Sequence, residues 1–457
     1  MLALYLAACT APTPDGKTSD DAPDGTDTDD TDGLSDPRTD PLDIQAVVAP
    51  DVQTVVIVTW RTETPVRGYV AFGEDTTYRL ASAVEDAPAT EHRALLLGLY
   101  ADTEFHFRVA SVGESGETHS PDLTITTGSL PPALHPLIVS GVATSWHGYQ
   151  VVPLQGATYA IVLLDDHGRY VWYHLLEQSG NLMRTFLAND RQSVVLCLAG
   201  PQDNLAIGKI VRVSMDGATT TELPLPNMDH DMTELPDGTV AAIVVEPDPA
   251  GGGETADSIV ELAPDGTLTT VFSAWDAWDP DALGLRNNSN WTHANAIEYD
   301  AVEDAYYFSM KSLASLAKID RATGEVLWTM HGRLNEFTFP EGQEAIELQH
   351  QFEMLPTGVL IFDNGLGERG YSRVVELEVD FEAKTAHQVW EYIRDPSVYV
   401  FAKGDVARFA DGGTQVVWST SGEIQNVARD GTVTWQLDTE LGQAMTFVDI
   451  VDTLYVE

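Results

Sequence analysis

The stretch Lys318-Ile319-Asp320-Arg321-Ala322-Thr323-Gly324-Glu325-Val326-Leu327-Trp328 has the pattern of a β-hairpin. Apolar residues stand on both sides of a turn that contains Gly324, and glycine takes the positive φ that tight turns require. A tryptophan follows the turn glycine after four residues, and the same offset recurs at Trp172 and Trp435. The hairpin is therefore one copy of a pattern that the chain uses several times.

Between residue 130 and the C-terminus, short apolar runs alternate with glycine-containing turns, and no long helix is predicted. The turns are Asp166-His167-Gly168, Asp216-Gly217, Asp237-Gly238, Asp265-Gly266, Thr323-Gly324, Thr357-Gly358, Asp411-Gly412 and Asp430-Gly431. Their irregular spacing gives no strict repeat. Hairpins over roughly 330 residues nevertheless favour a β-propeller over a single sandwich, and about six four-stranded blades fit this length.

Residues 42–128 predict a separate, small β domain ahead of the propeller. Val55–Trp60 is rich in β-branched residues, and Phe105, Phe107 and Val109 alternate along a later run. The string Gly98–Phe105 resembles the loop and corner of fibronectin type III domains, with Phe105 in place of the usual tyrosine. We expect a fibronectin III-like β-sandwich that acts as a spacer or a docking module.

The first 41 residues predict an anchor and a tether. Leu6-Ala7-Ala8-Cys9 matches the bacterial lipobox, although Met1–Tyr5 is too short and lacks the basic start of a full signal peptide. Residues 1–9 are interpreted as a truncated lipoprotein signal, with Cys9 as the lipidated residue. Residues 10–41 are mostly Asp, Thr, Pro and Gly, which predicts a disordered acidic linker. The expected location is the cell envelope, on the outer membrane, either periplasmic or surface-exposed.

The charge balance excludes several classes of partner. The 457 residues include 71 acidic and 24 basic side chains, for a formal net charge of −47. Such a surface argues against nucleic acid, whose phosphates require Lys and Arg. No apolar run of about 18 residues predicts a membrane-spanning helix, so the lipid anchor is the expected membrane contact. An anionic substrate would need a locally positive pocket.

Three histidines stand just before, or at the start of, apolar runs. They are His230 in Asp229-His230-Asp231, His293 in Trp291-Thr292-His293-Ala294-Asn295, and His350 in Gln349-His350-Gln351. The intervals of 63 and 57 residues are close to one blade length. If the propeller prediction holds, the three side chains can project into the central channel from equivalent places on successive blades.

Together with the Lys318–Trp328 hairpin and the turn Asp363-Asn364-Gly365, these strings resemble the bacterial arylsulfate sulfotransferase family over about residues 130–435. The resemblance implies an all-β chain: a six-bladed propeller, assigned to residues 129–457, with an appended N-terminal β domain. It also implies a ping-pong reaction that uses neither PAPS nor another cofactor. A histidine takes a sulfuryl group from an aryl sulfate donor, and an acceptor phenol then removes it.

The resemblance assigns roles by position. His350 matches the nucleophile of the family, and His230 and His293 match the other histidines of the pocket. Lys311 falls where the family carries an arginine that clamps the sulfate, but lysine lacks the planar, bidentate fork of arginine. Gln351 replaces an aspartate of the family motif.

Three further residues are candidates for binding or orienting the substrate. Asn295 and Asn364 can orient the histidines, although asparagine is also common in turns. Arg373, in Tyr371-Ser372-Arg373, is a further pocket candidate.

Other functions stay open at this point. A metal-dependent hydrolase would use Asp229, His230, Asp231, His293 and His350 as ligands, but no pair of them has the i,i+3 or i,i+4 spacing that fixes a geometry. A non-catalytic surface propeller that binds a ligand or a protein partner is the other alternative. We expect no metal, and a second copy of the chain is left open as a partner. A quinoprotein dehydrogenase fits less well, because its regular tryptophan repeats are missing.

Overall fold

The computed structural model of the protein describes residues 37–456 except 115, 144–145, 177–180, 201–204, 287–288 and 440–443. The predicted lipidation site Cys9 and most of the predicted linker lie outside the described residues. The described chain is almost entirely β-strand. None of its helices has the length and apolar character that are needed to cross a membrane.

A small β domain opens the described chain. Its longest strand, β2, bends and takes part in two sheets, because its first half pairs with β1 and β4 and its second half with β3 and β5. Trp60, Phe72 and Phe107 are buried in its core. The likeness to fibronectin type III domains stays a prediction. The strands are β1 (Leu42–Val48), β2 (Val56–Gly73), β3 (Leu80–Ala81), β4 (Ala89–Leu96), β5 (Glu104–Gly113), β6 (Gly116–His119) and β7 (Leu123–Thr126).

The rest of the chain confirms the prediction of a six-bladed β-propeller. Strand β8 (Leu137–Gly141) comes first in the chain and belongs to blade six. Blade one contains β9 (Tyr149–Gln155), β10 (Ala160–Asp165) and β11 (Tyr170–Leu175), and blade two contains β12 (Asn181–Leu187), β13 (Ser193–Ala199), β14 (Lys209–Ser214) and β15 (Thr220–Pro224). Blade three contains β16 (Met228–Glu234), β17 (Val240–Pro247), β18 (Thr255–Leu262) and β19 (Leu268–Ser273).

The later blades follow the same order, with each blade running from its innermost to its outermost strand. Blade four contains β20 (Ala294–Asp300), β21 (Ala305–Met310), β22 (Ser315–Asp320) and β23 (Val326–Met330), and blade five contains β24 (Phe352–Leu355), β25 (Gly358–Asp363), β26 (Arg373–Asp380) and β27 (Thr385–Tyr392). Blade six contains β28 (Asp405–Arg408), β29 (Thr414–Trp418), β30 (Glu423–Val427) and β31 (Val433–Thr439). The chain ends with β32 (Ala444–Met445) and β33 (Asp449–Val451).

Helical structure is limited to short segments. They are α1 (Ala274–Ala277) and the 3₁₀ turns Pro37–Thr39, Leu205–Ile207, Lys311–Leu313, Gly332–Leu334 and Ser419–Ser421.

Both ends of the propeller sequence close its ring. Strand β8 pairs with β31 as the outermost strand of blade six, and β32 and β33 pair with β9 as the innermost part of blade one. Blades one and six are each completed by chain from the opposite end of the sequence. The ring therefore closes only when distant segments pair, as is usual for closed all-β architectures.

The hairpin from which the sequence analysis began has its turn where it is predicted. Gly324 has a φ of 71°, and Lys318 pairs with Trp328 across the two strands. A Cβ atom at Gly324 would lie 2.4 Å from the carbonyl oxygen of Val271 in blade three, so the turn needs glycine for space as well as for conformation. Trp172 donates its indole N–H to the Met215 carbonyl of blade two at 2.9 Å.

A carboxylate on an innermost strand, or at its end, bridges each of the six blade junctions by accepting a backbone N–H of the adjacent blade. We call these six groups the carboxylate staples. In order around the ring they are Asp449 with Leu187 N (3.4 Å), Glu234 with Asn189 N (2.7 Å), Asp231 with Ile297 N (3.0 Å), Glu298 with Met354 N (3.1 Å), Glu353 with Arg408 N (2.5 Å) and Asp405 with Val448 N (2.8 Å).

Burial changes the titration of several staples. It raises the pKa of Glu298 and Glu353 to about 7 and that of Asp405 to about 6, and it raises the pKa of Asp231 as well. These groups line a channel cavity of about 450 Å³. These carboxyls bind protons more tightly in the folded protein than in the unfolded chain. Their contribution to folding stability is therefore complete at pH values below the pKa of the group in the unfolded chain, and it is lost as the pH rises through its pKa in the folded protein.

We expect the melting temperature of Glu298→Gln to exceed that of the wild type at pH 8 by roughly 2–4 °C, and the difference to vanish at about pH 4, below the pKa of an unfolded glutamate. Glutamine keeps the oxygen that accepts the Met354 N–H but does not ionise. Glu222→Gln, on an exposed strand, is the matched control and should follow the wild type at both pH values. A constant difference between Glu298→Gln and wild type across this pH range would contradict the assignment.

Candidate active site

The three histidines lie at the starts of the innermost strands of blades three, four and five. His230 lies in β16, in a register irregularity between Met228 and Met232, and His293 directly precedes β20. Both take left-handed backbone conformations, with φ values of 55° and 43°. Their ring centroids are 4.8 Å apart. A left-handed residue in a bulge re-aims its side chain, which here directs both rings to one place.

A buried aspartate that the sequence analysis did not single out holds the loop of His293. Asp257, on β18 of blade three, accepts hydrogen bonds from Thr292 Oγ1 at 2.5 Å and from the Ala294 N–H at 2.7 Å. Asn290 Oδ1 accepts the N–H of His293 itself at 2.9 Å. Burial raises the pKa of Asp257 to about 6. No sequence signal singles it out, because β18 also carries Thr255, Ser258 and a second acidic residue, Glu261.

His350 is buried, and its ring has a defined tautomer. Its Nδ1 lies 2.8 Å from Asn364 Oδ1. The amide nitrogen of Asn364 donates to the carbonyls of Val400 (2.9 Å) and Lys403 (2.8 Å), so its oxygen must face the ring. An amide oxygen only accepts, and therefore Nδ1 carries the proton. The Nε2 atom of His350 is left with a free lone pair.

The neighbouring groups differ in charge. Burial lowers the pKa of His230, but the Asp229 carboxylate, 2.9 Å from its Nδ1, outweighs burial and the pKa is raised. Burial, with the charges of His230 and Lys311, lowers the pKa of His293 to about 3. Burial also lowers the pKa of Lys311, whose Nζ lies 3.4 Å from His293 Nε2.

Burial lowers the pKa of His350 well below its usual range, and the charges of His230, Lys311 and His293 lower it further. The site thus combines the His350 imidazole, which its surroundings hold in the neutral and nucleophilic form, with His230, whose protonated form Asp229 favours, and with the amino group of Lys311. This arrangement suits an anionic group, because the cations can hold its oxygens while His350 approaches its central atom.

Two other polar residues join different blades near the histidines. Asn295 is buried and donates to the Gln349 carbonyl at 2.8 Å, next to His350. Gln351 donates to Asp231 Oδ2 at 2.9 Å. The glutamine at the position that departs from the family motif is thus a blade-to-blade donor.

Arg373 lies apart from the histidines. Its buried guanidinium donates to Asp363 Oδ2 at 2.8 Å and to Glu344 and Glu391 at 2.7 Å each. Asp363 also accepts the N–H groups of Glu347 and Gly365 on either side of the His350–Asn364 pair. In the structure, Arg373 supports the loops around Asn364, and its substrate-binding role stays a prediction.

Metal ligands do not converge at the histidines. Within the described part of the chain, the one group of ligand atoms close enough to hold an ion is Asp165, Asp166 and His167, on a turn of blade one. The five residues of the hydrolase hypothesis do not form such a group there. The channel cavity described above is lined by residues that follow the histidines along the inner strands, and no histidine lines it.

Comparisons with known proteins point to one family. The profile of the arylsulfotransferase (ASST) family matches residues 149–450. A curated relative, the arylsulfate sulfotransferase AssT of Escherichia coli O6:H1 (strain CFT073), is 31% identical over 147 residues, which cover 24% of this chain and 24% of the relative. The match thus spans about a quarter of the relative's length.

Among solved structures, a protein of unknown function from Bacteroides caccae matches with a TM-score of 0.44 and 13% identity, over 66% of this chain and 98% of that one. Virginiamycin B lyase from Staphylococcus aureus matches with a TM-score of 0.39 and 13% identity, over 69% and 99%.

The role of Asn364 can be measured without any assay of activity. In wild type, ¹⁵N chemical shifts of labelled histidine should show His350 at pH 7 as a single neutral tautomer with the proton on Nδ1. Asn364→Ala removes the acceptor, and a mixture of the two tautomers should result. Asn295→Ala is the control, because Asn295 bonds a backbone carbonyl and not the ring. A single unchanged tautomer in Asn364→Ala would show that another group sets it.

Proposed function

The chain belongs to the arylsulfotransferase family, and we propose that it transfers a sulfuryl group from an aryl sulfate ester to an acceptor phenol, without PAPS, through a sulfohistidine at His350. The observation that carries the proposal is the hydrogen bond from His350 Nδ1 to Asn364 Oδ1. It keeps the lone pair of Nε2 free for attack while His230 and Lys311 supply positive charge nearby. Family membership supports the class of substrate.

In the first half-reaction, the Nε2 lone pair of His350 attacks sulfur and an N–S bond forms. The bond between sulfur and the aryl oxygen breaks, and its electron pair leaves with the phenolate. Protonated His230 donates a proton to that phenolate and becomes neutral. The sulfated ring of His350 is then cationic, and its Nδ1–H donates to Asn364 Oδ1, which stabilises the adduct.

The second half-reaction reverses these steps with another phenol. Neutral His230 accepts the phenolic proton, and the phenol oxygen attacks sulfur as the N–S bond breaks. His350 recovers its lone pair and His230 its proton, so the enzyme ends in its starting state. The raised pKa of His230 supports this role, because it favours the protonated ring that acts as the general acid.

Charge stabilisation follows the logic of phosphoryl transfer. The transferred group carries negative charge on three equatorial oxygens, so positioning and electrostatics supply most of the catalysis. Lys311 and protonated His230 are the proposed partners of these oxygens from blades four and three. The Lys311 ammonium is a point charge and holds one oxygen where an arginine fork would hold two.

We also propose that Cys9 carries a lipid that anchors the protein in the cell envelope, with residues 10–41 as a tether and the N-terminal β domain as a spacer. The lipobox and the acidic, Pro- and Gly-containing segment after it support this arrangement.

His350→Ala should abolish the sulfo-adduct and lower kcat/KM for an aryl sulfate by roughly a thousandfold or more, because the ring that forms the N–S bond is removed. The measurement is intact mass after incubation with the aryl sulfate, followed by peptide mapping. His350→Gln is a second variant that fills more of the buried space, and thermal unfolding reports the fold of both.

His387→Ala is the matched control, because His387 is exposed on β27 and should leave the adduct unchanged. A normal adduct in His350→Ala would contradict the nucleophile assignment. An adduct that maps to His230 or His293 would transfer that role to another ring.

For the anchor, we expect Cys9→Ser to move the protein from the membrane fraction to the soluble fraction of cells that express the full gene. Fractionation and immunoblotting, with a known lipoprotein as the marker, provide the measurement. The same distribution for both variants would mean that Cys9 anchors nothing.

A further inference from the structure

Lys403 is a partly buried cation that the proposed mechanism does not use. It precedes β28 of blade six and has a left-handed φ of 62°, as His230 and His293 do at the innermost strands of their own blades. Its carbonyl accepts the amide hydrogen bond of Asn364 at 2.8 Å. One residue, Asn364, therefore separates Lys403 from the imidazole of His350. Lys403 thus lies at the same end of the channel as the three histidines.

The side chain of Lys403 reaches across blades. Its Nζ donates to Gln155 Oε1 of blade one at 2.8 Å and approaches the Leu182 carbonyl of blade two at 3.4 Å. Leu182 lies on the innermost strand of blade two. The side chain therefore extends from blade six, past blade one, to the innermost strand of blade two. The ammonium therefore lies at the starts of the innermost strands of blades one and two, the end of the strands at which blades three to five carry the histidines.

The ammonium of Lys403 has no carboxylate partner among the residues that the structure describes. Burial lowers its pKa to about 8, so it is still mainly charged at pH 7. Two other cations with little exposure do have carboxylate partners: Arg373 contacts three carboxylates, and Lys318 contacts Glu303 at 2.5 Å. Burying a charge that faces only neutral oxygens is costly. In a molecule with a net charge of −47, a missing counter-ion marks a place for an anionic ligand.

The number of donors leads to the same conclusion. An ammonium carries three N–H donors, and the described structure gives Lys403 two acceptors, Gln155 Oε1 and the Leu182 carbonyl. One donor is left for a ligand oxygen. His350, on blade five, stands between blade four with Lys311 and blade six with Lys403.

We propose that Lys403 is a third cation of the sulfuryl site and binds an oxygen of the transferred group from the side of His350 opposite Lys311. The inference rests on the proposed function and extends it. The three equatorial oxygens would then face His230, Lys311 and Lys403, which come from blades three, four and six. The ligand class is a tetrahedral oxyanion, whether it is the ester sulfate of the donor or free inorganic sulfate.

The experiment uses the whole protein and two readouts. The first is the shift in melting temperature caused by inorganic sulfate, which needs no turnover. The second is the rate at which the sulfo-adduct forms from an aryl sulfate. The variants are Lys403→Met, which keeps the stem without the charge, and Lys403→Arg, which keeps the charge. Lys209→Met, at an exposed ion pair with Glu222, is the matched control.

We expect sulfate to raise the melting temperature of wild type, Lys209→Met and Lys403→Arg but to have little effect on Lys403→Met. Adduct formation in Lys403→Met should be about 10- to 100-fold slower, as is typical for the loss of a charge-assisted hydrogen bond. Without ligand, Lys403→Met should melt at the wild-type temperature or above, because a partly buried charge that has no carboxylate partner has been removed.

The outcomes separate the two proposals. A sulfate-induced shift that persists in Lys403→Met would overturn the role of Lys403 and leave the proposed function intact. The absence of any shift in wild type would overturn it as well. A shift that depends on Lys403, in a protein that forms no adduct, would support the anion site and count against the transferase. A lower melting temperature with normal adduct formation in Lys403→Met would mean that the lysine only joins the blades.

Discussion

The carboxylate of Asp231 joins the three blades that carry the histidines. It lies on blade three, accepts the Ile297 N–H of blade four, and accepts the side-chain amide of Gln351 from blade five. His230 immediately precedes it, and His350 immediately precedes Gln351. Because each histidine starts an innermost strand, the distances among the three rings depend on how these blades are joined. Asp231 is one of six such staples, and a displacement at any junction would change the geometry of the site.

The same interaction explains why glutamine is acceptable at position 351. A carboxylate there would face the buried carboxylate of Asp231, and two like charges in a buried site repel strongly. Glutamine supplies a donor instead and satisfies Asp231 without adding charge. The orientation of the His350 ring does not depend on this residue, because Asn364 holds Nδ1 from the other side. The departure from the family motif at 351 thus leaves the tautomer of His350 defined.

The sequence predicted what is local and periodic. Turn glycines and apolar runs indicated six blades, and the spacing of His230, His293 and His350 placed them on successive ones. The staples, Asp257 and the lysine of blade six were not predicted, because their partners lie on other blades and 35 or more residues away. For Arg373, the sequence could not show the contacts of the side chain. A lone arginine near a candidate motif indicated substrate binding, whereas the fold surrounds it with three carboxylates that no sequence spacing reveals.

The cations of this molecule that have little exposure fall into two groups, those with carboxylate partners and those without. Where a buried cation has carboxylate partners, as Arg373 has, its charge is already compensated within the fold, and the side chain holds loops in place. Lys311 and Lys403 have no carboxylate within hydrogen-bonding distance in the described structure, and they come from the blades on either side of His350. A strongly acidic protein could easily have supplied such partners. Leaving the two lysines without carboxylate partners costs folding free energy, and in the proposed site a bound anion would offset this cost.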